Sequence, residues 1–415
     1  MGLLTTLKQN DVFRDEKSLA FDGTNDYVNV DGLSSVFSTD SAFSLVFWFK
    51  CLNVGHVGGD DEHKEIIFSA HDSTNSYANI LRLGINPNND SSPIGGIFVV
   101  DNSGNTTIYT DNGSADSGTK YFNNGKWHHL VLTNASGAGN TTSNVYIDGV
   151  QLTNYYTTSG GSDTNTLDVQ WSDADKFSIA QEYDGSAAVS DNFFGNISEV
   201  AIYNSALTIN QIKTIYNGRE PYNHKEGVAS GNLQAWYRMG DGVLDDYALI
   251  GDETNATLGT TLWDSDASTN GDVSNWVAFG TNTVETDSGA IKITYGNNSA
   301  GAYSNFKDAS DLSSNLTIGK VYKFTCDAKV NTGSVSLAFS TAGADTVIFA
   351  TVTQTSFTTF TGYFKAGHST NANIKLQNFS TGEIIHLDNF SLQEVGANAG
   401  IMTNMDIVDI EGDTP

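Results

Sequence analysis

The chain has 415 residues, with 20 Lys+Arg against 48 Asp+Glu, a formal charge of −28. That length predicts about two or three domains, each large enough to bury a core without disulfide or metal staples. The acidity argues against nucleic acid and against anionic membrane surfaces, both of which need basic patches. Gly (41 residues) is abundant and Pro (4) is scarce, which with many aromatics reads as short strands joined by turns. Two cysteines, Cys51 and Cys326, each lie among alternating apolar residues and read as buried free thiols. The opening residues 1–16 read as a short arm without the apolar stretch of a secretory signal, and no run approaches the ~18 apolar residues of a membrane span.

From residue 17 to 222 the pattern has period two. Ser18–Phe21, the turn Asp22-Gly23-Thr24-Asn25-Asp26 and Tyr27–Val30 read as strand, turn, strand. Ser41–Leu52 places Phe43, Leu45, Phe47 and Phe49 on one face and Val46 and Trp48 on the other, so this strand is expected to be covered on both sides. Further strands are expected around residues 66–68, 80–84 and 97–100. Asp60-Asp61-Glu62-His63 reads as a solvated loop. Lys126–Leu132 and Asn144–Leu152 form the strongest hairpin signal, with Asp148-Gly149 suited to a type I′ turn. His128 and His129 are adjacent on a strand and so face opposite sides, which excludes joint chelation. One helix is marked by a Thr208-x-x-Gln211 capping box, a Leu207/Ile212 staple and Gly218 as its closing residue. Residues 223–262 read as an ordered linker, in which only Leu233–Gly242 has the look of a strand. Eight candidate strands between 263 and 395 read as a second sandwich, and residues 396–415 as an acidic tail. The expected fold is therefore all-β: two antiparallel β-sandwich domains with one short helix, an N-terminal arm and a C-terminal tail.

Three segments of the first domain, Ser18–Val28, the Trp127-His128-His129 to Asp148-Gly149 hairpin, and Phe194–Asn204 before the helix, resemble laminin-G-like (concanavalin A-like) jelly rolls. The resemblance implies a two-sheet jelly roll that binds glycans or proteins, often with a structural calcium. Val321–Val330, Phe357–Phe364 and His386–Leu392 resemble carbohydrate-binding-module jelly rolls. Trp236–Gly242 together with Met402–Asp406 resembles the end of laminin-G-like structural proteins of tailed bacteriophages, with the second jelly roll inserted between the two segments.

Calcium needs several oxygen ligands. Asp22, Asn25 and Asp26 supply them in one loop, and the resemblances add Glu199 on the closing strand and Asp388, with Asn389 where a second acid is common. Glycan stacking needs aromatics beside Asn, Asp or Gln, and the candidates are Tyr155, Tyr156, Trp171 and Tyr183. No Glu-x-Asp-x-Glu pair, Gly-x-Ser-x-Gly elbow or His-Glu-x-x-His helix is present, so no enzyme is expected. The reading is a non-enzymatic virion structural protein, a capsid decoration, fibre or tail component. It is assembled in the host cytoplasm and extracellular after lysis, with other virion proteins and host or environmental polysaccharide as partners. A homo-oligomer such as a trimer is allowed, although no heptads enforce one. A secreted polysaccharide-binding adhesin is the alternative, and a glycosidase a lesser one.

Overall fold

The computed structural model describes residues 13–52, 65–86, 95–110, 122–136, 139, 141–157, 165–185, 188–246, 248–262, 273, 276–278, 280–296, 305–307, 312–340, 346–369 and 373–415. The acidic loop at 60–63 and the first twelve residues of the arm lie outside them. The chain forms antiparallel sheets and a single α-helix among the described residues. Its contacts divide it into two compact units: Met1–Asn255 with Met402–Pro415, and Ala256–Ile401.

In the first unit one sheet runs, in spatial order, Val150–Gln151, Thr141–Ile147, Trp127–Asn134, Phe43–Cys51, Phe194–Tyr203, Ser18–Asp22 and Ile410–Glu411. The facing sheet runs Asn154–Thr157, Thr106–Thr110, Ile97–Asp101, Ala78–Ile85, Glu65–Asp72, Lys176–Ile179, Tyr27–Asn29, Gly400–Thr403 and Leu249–Ile250. Leu45, Phe47 and Phe49 from the first sheet meet Phe68, Leu81, Leu83, Val99 and Phe177 from the second in one core. The opposite face of Phe43–Cys51 is covered as expected, because Val46 packs with Val131, Tyr203, Ile212, Ile215 and Trp236 under the helix. That helix, Ile209–Tyr216, has the reciprocal Thr208/Gln211 capping box. Asn217 (φ 49°) is the first residue to leave the helix into the left-handed region, one position before Gly218. At the hairpin, Asp148 (φ 52°) and Gly149 (φ 75°) both take positive φ, as a type I′ turn requires.

The expected linker is a finding of a different kind. Leu233–Tyr237 pairs with the second half of Phe194–Tyr203, on the same edge where Ser18–Asp22 pairs with the first half. Trp236 and Tyr237 are buried. Leu258–Thr261 instead joins the second unit by pairing with Ile384–Val395. The tail is not a free extension either: Glu411 and Ile410 pair with Ser18 and Leu19. Its Asp413 accepts from Trp127 Nε1 at 3.0 Å and pairs with Lys50.

In the second unit, Thr283–Asp287, Ala290–Thr294, Ile384–Val395, Val321–Val330 and Thr358–Lys365 form one sheet. Trp276–Val277, Asn305–Lys307, Asn373–Gln377, Val335–Ser340 and Thr346–Val352 form the other. Phe324, Cys326, Leu337, Phe339, Leu376 and Leu387 lie in its core. Both cysteines are free and buried.

Candidate binding site

The aromatics singled out in the sequence do not converge. Trp171 is fully buried, stacked on Phe37 at 4.1 Å and edge-on to Phe43, so it offers no face to a ligand. Its place after a short loop beside Asp and Ser gave it an exposed look, but its ring fills the core where the two sheets meet. Tyr155 is half-buried and packs against the same core, 6.2 Å from Tyr109. Tyr156 pairs through its backbone with Ile108, and its side chain lies outside the described residues. Tyr155 sits on an edge strand four strands from Glu65–Asp72, a separation of roughly 19 Å at ~4.8 Å per strand.

Tyr183 is different. It lies on Glu182–Asp184, which forms a hairpin with Ala188–Ser190. It is half-buried, its ring edge-on to His71 at 5.6 Å and 5.5 Å from Tyr77. Tyr77 was not foreseen. It follows a short 3-10 turn, Ser73–Asn75, capped by Asp72, whose carboxylate accepts the Thr74 N–H at 2.9 Å. Ser76 (φ 53°) and Tyr77 (φ 56°) then both adopt left-handed backbone. An L-residue pays about 1–2 kcal/mol for that conformation, and a bulky one in it is unusual. Such strain clusters at binding sites, because the surrounding structure must hold it in place. Here it turns the Tyr77 ring toward Tyr183.

Beneath the pair is a polar layer. His71 Nδ1–H donates to the Tyr77 carbonyl and His71 Nε2 accepts the Tyr183 N–H, each at 3.3 Å. Burial, with Arg82 nearby, holds this imidazole neutral and pushes its pKa down to about 4. Arg82 Nη1 donates to both carboxylate oxygens of Glu182 at 2.7 Å. Ser69 and Ser178 hydroxyls lie 2.8 Å apart, and both donate to the Gln181 carbonyl. Lys176 pairs with Asp31 at 3.2 Å, and Asn29 Nδ2 donates to the Tyr183 hydroxyl at 3.4 Å. Burial raises the Tyr183 phenol well above its ordinary value, so it stays protonated and can donate.

The expected calcium ligands are engaged elsewhere. Asp22 Oδ1 accepts the N–H groups of Thr24 (2.7 Å) and Asn25 (3.1 Å), and Asp26 Oδ2 accepts the Asp22 N–H. Burial, with Asp22, Asp409 and Asp406 nearby, raises Asp26 to about 6. Glu199 does not join this loop. It is five residues beyond Phe194, the strand partner of Asp22, roughly 17 Å along the strand. It is fully buried, accepting from Trp236 Nε1 at 2.5 Å and Arg238 Nε at 3.1 Å. Burial and the neighbouring Asp15 push its pKa well up. Asp388 sits opposite Asp327 in register and accepts the Asn389 N–H at 2.8 Å, while the Asn389 amide donates to Asp327 at 2.7 Å. Among the described residues no group of three or more His, Cys, Asp or Glu side chains is placed to hold a metal ion. The hydrogen bonds seen at Asp22, Asp26 and Asp388 are those of turn and strand chemistry.

His128 and His129 point to opposite faces, as their adjacency requires. His129 is fully buried, 5.0 Å from Trp48 and 5.7 Å from Tyr216, whereas His128 bonds Asp148 at 3.0 Å. No helix among the described residues is long and apolar enough to cross a membrane.

Comparison with known proteins places this site in context. A search of curated proteins finds no match. Among solved structures, the chain is similar to the CBM22-1–GH10 modules of Clostridium thermocellum endo-1,4-beta-D-xylanase 10B complexed with xylohexaose, at 19% identity and a TM-score of 0.24. That alignment covers 37% of this chain and 29% of the other, so the chain spans less than a third of that structure. It is also similar to the CBM22-1 xylan-binding domain of Paenibacillus barcinonensis Xyn10C, with 14% identity, TM-score 0.25, and coverage of 34% and 96%. A family 29 carbohydrate-binding module complexed with mannohexaose matches at 15% identity, TM-score 0.25, and coverage of 34% and 93%. The model of the concanavalin A-like lectin/glucanases superfamily matches residues 22–213. The first unit is thus similar in sequence to that superfamily over the stretch that carries Tyr77 and Tyr183.

Proposed function

We propose that this is a non-catalytic glycan-binding protein whose Tyr77–Tyr183 pair stacks on a sugar ring. The observation that carries the reading is the left-handed backbone at Ser76 and Tyr77, which sets one partly exposed aromatic 5.5 Å from a second over a polar layer. Lectin-type sites combine such apolar platforms with a few fixed polar groups. The superfamily match over residues 22–213 supports the same reading. Against catalysis, the carboxylate whose pKa is pushed well up, Glu199, is sealed beneath Arg238 and the arm rather than facing a cleft. A glycan array probed with the intact protein and with Tyr77→Gly tests the proposal: binding that disappears in the variant is expected, and no binding to any glycan refutes it.

We place this activity on a virion surface. The support is the resemblance of Trp236–Gly242 and Met402–Asp406 to phage structural proteins, two segments that lie in the first unit on either side of the inserted second one. A bacterial surface adhesin would use the same site. Mass spectrometry of purified particles and of washed cell envelopes separates the two, and absence from particles overturns the virion placement.

A further inference from the structure

We infer, resting on the glycan-binding reading above, that the Tyr77–Tyr183 site takes uncharged sugar residues and excludes uronic-acid and sulfated polymers. The argument is the charge inventory around the two rings. The cations are Lys176 and Arg82, and each is already matched. Lys176 Nζ lies 3.2 Å from Asp31, which is only 5% exposed and also accepts the Phe177 N–H. Arg82 faces Glu182, 2% exposed, through both carboxylate oxygens. His71 adds no charge, because one ring nitrogen donates to the Tyr77 carbonyl while the other accepts the Tyr183 N–H.

Three further carboxylates lie around the pair, Asp175 among them also within reach of the Lys176 charge. Asp72 holds the Thr74 N–H and hydroxyl. Asp175 holds the Ser73 N–H at 2.8 Å and its hydroxyl at 2.5 Å. Asp184 is exposed on the strand that carries Tyr183. Two cations against five carboxylates leave the site at −3. A polyanion would meet repulsion here with no unmatched cation among the described residues, since sites for carboxylate or sulfate are built from Arg and Lys forks. Sugar hydroxyls, by contrast, are donors, and carboxylate oxygens are strong acceptors for them. The protonated Tyr183 hydroxyl supplies a donor in return.

The test measures binding of the intact chain to uncharged polysaccharides (xylan, galactomannan) and to anionic ones (alginate, polygalacturonate, dextran sulfate). Tyr77→Gly and the exposed change Asp184→Lys are run beside it, with thermal melting as the folding control. The expected result has three parts. An uncharged glycan binds at least about tenfold tighter than any anionic one, its affinity changes little between about 50 and 500 mM salt, and it weakens about tenfold or more in Tyr77→Gly. The Asp184→Lys variant, which leaves the Asp175–Ser73 contacts and both tyrosines intact, gains binding to anionic polymers. An anionic glycan that binds best and is lost in Tyr77→Gly overturns the charge class and leaves the glycan reading standing. Binding indifferent to Tyr77→Gly overturns the site, and no glycan binding at all overturns both.

Discussion

Replacing Tyr77 separates stability from binding, because the residue is held in left-handed backbone (φ 56°). Tyr77→Ala removes the ring contact with Tyr183, worth about 0.5–1.5 kcal/mol beyond area burial, and keeps the left-handed cost of about 1–2 kcal/mol. Tyr77→Gly removes the same contact but adopts that backbone freely. Glycine's greater freedom in the unfolded chain takes back about 0.5–1 kcal/mol. The glycine variant should therefore be more stable than the alanine variant by about 0.5–1 kcal/mol, the reverse of the order at an ordinary extended position. Urea titration followed by tryptophan fluorescence reads this, since Trp48, Trp127, Trp171 and Trp236 all belong to the first unit. Comparing midpoints at equal slope isolates the stability difference. Both variants should lose glycan binding alike. Alanine equal to or more stable than glycine would show that the backbone at Tyr77 is unstrained, and would remove the argument that strain marks the site.

Three other perturbations probe the frame that holds the site. Asp15 carries a pKa raised to about 7 from 3.8 by burial and then by Asp241; the folded chain thus keeps a proton that the unfolded chain releases, and stability is full below pH ~4 and falls as pH rises toward 7. Asp15→Asn should flatten that slope in pH-dependent denaturation, and an unchanged slope between pH 4 and 7 would show that Asp15 is not its source. Gly195→Ala would set a Cβ 2.0 Å from the Lys50 carbonyl oxygen at φ 147°, costing roughly 3 kcal/mol through overpacking and backbone strain; a melting temperature equal to wild type would contradict the close strand pairing there. Thr208→Ala removes the helix cap seen in the reciprocal Thr208/Gln211 box and should cost about 1 kcal/mol, measured by the same denaturation, with glycan binding unchanged.

The strands were legible where their pattern is local. Phe43–Cys51 alternates two apolar faces because both are covered, and Asp148-Gly149 announces its turn because few other pairs accept two positive φ values. The site was legible only in part. Tyr183 could be named as an aromatic among polar neighbours, but Tyr77 could not, since its left-handed backbone is carried by Ser76-Tyr77 rather than by the Gly or Asn that usually signals it. Trp171 was misplaced for the converse reason: exposure of an aromatic depends on which segments close over it, here Phe37, Phe43 and Phe177. Glu199 was assigned to a calcium shell by resemblance, and its partners Trp236 and Arg238 come from the stretch expected to be a linker.

Leu233–Gly242 was legible as a strand within the expected linker, but neither its partner nor that of the tail was. The strands are two to five residues long and their partners are distant in the chain: Leu233–Tyr237 on Phe194–Tyr203, and Ile410–Glu411 on Ser18–Asp22. The same geometry explains how the first unit tolerates an insertion of Ala256–Ile401. A strand shortly before it, Leu249–Ile250, and the strand spanning its end, Gly400–Thr403, are neighbours in the sheet that contains Tyr27–Asn29. Neighbouring strands lie ~4.8 Å apart, so a strand just before the insertion and the one at its end stand side by side. Closing a longer excursion between two such points costs only about 0.6 kcal/mol per doubling of its length. The returning strand also pairs with Tyr27–Asn29, whose Asn29 supports Tyr183. Completing the first unit after the insertion therefore completes the sheet that carries Asn29 beside Tyr183, which ties the support of the binding site to residues beyond those matched by the superfamily.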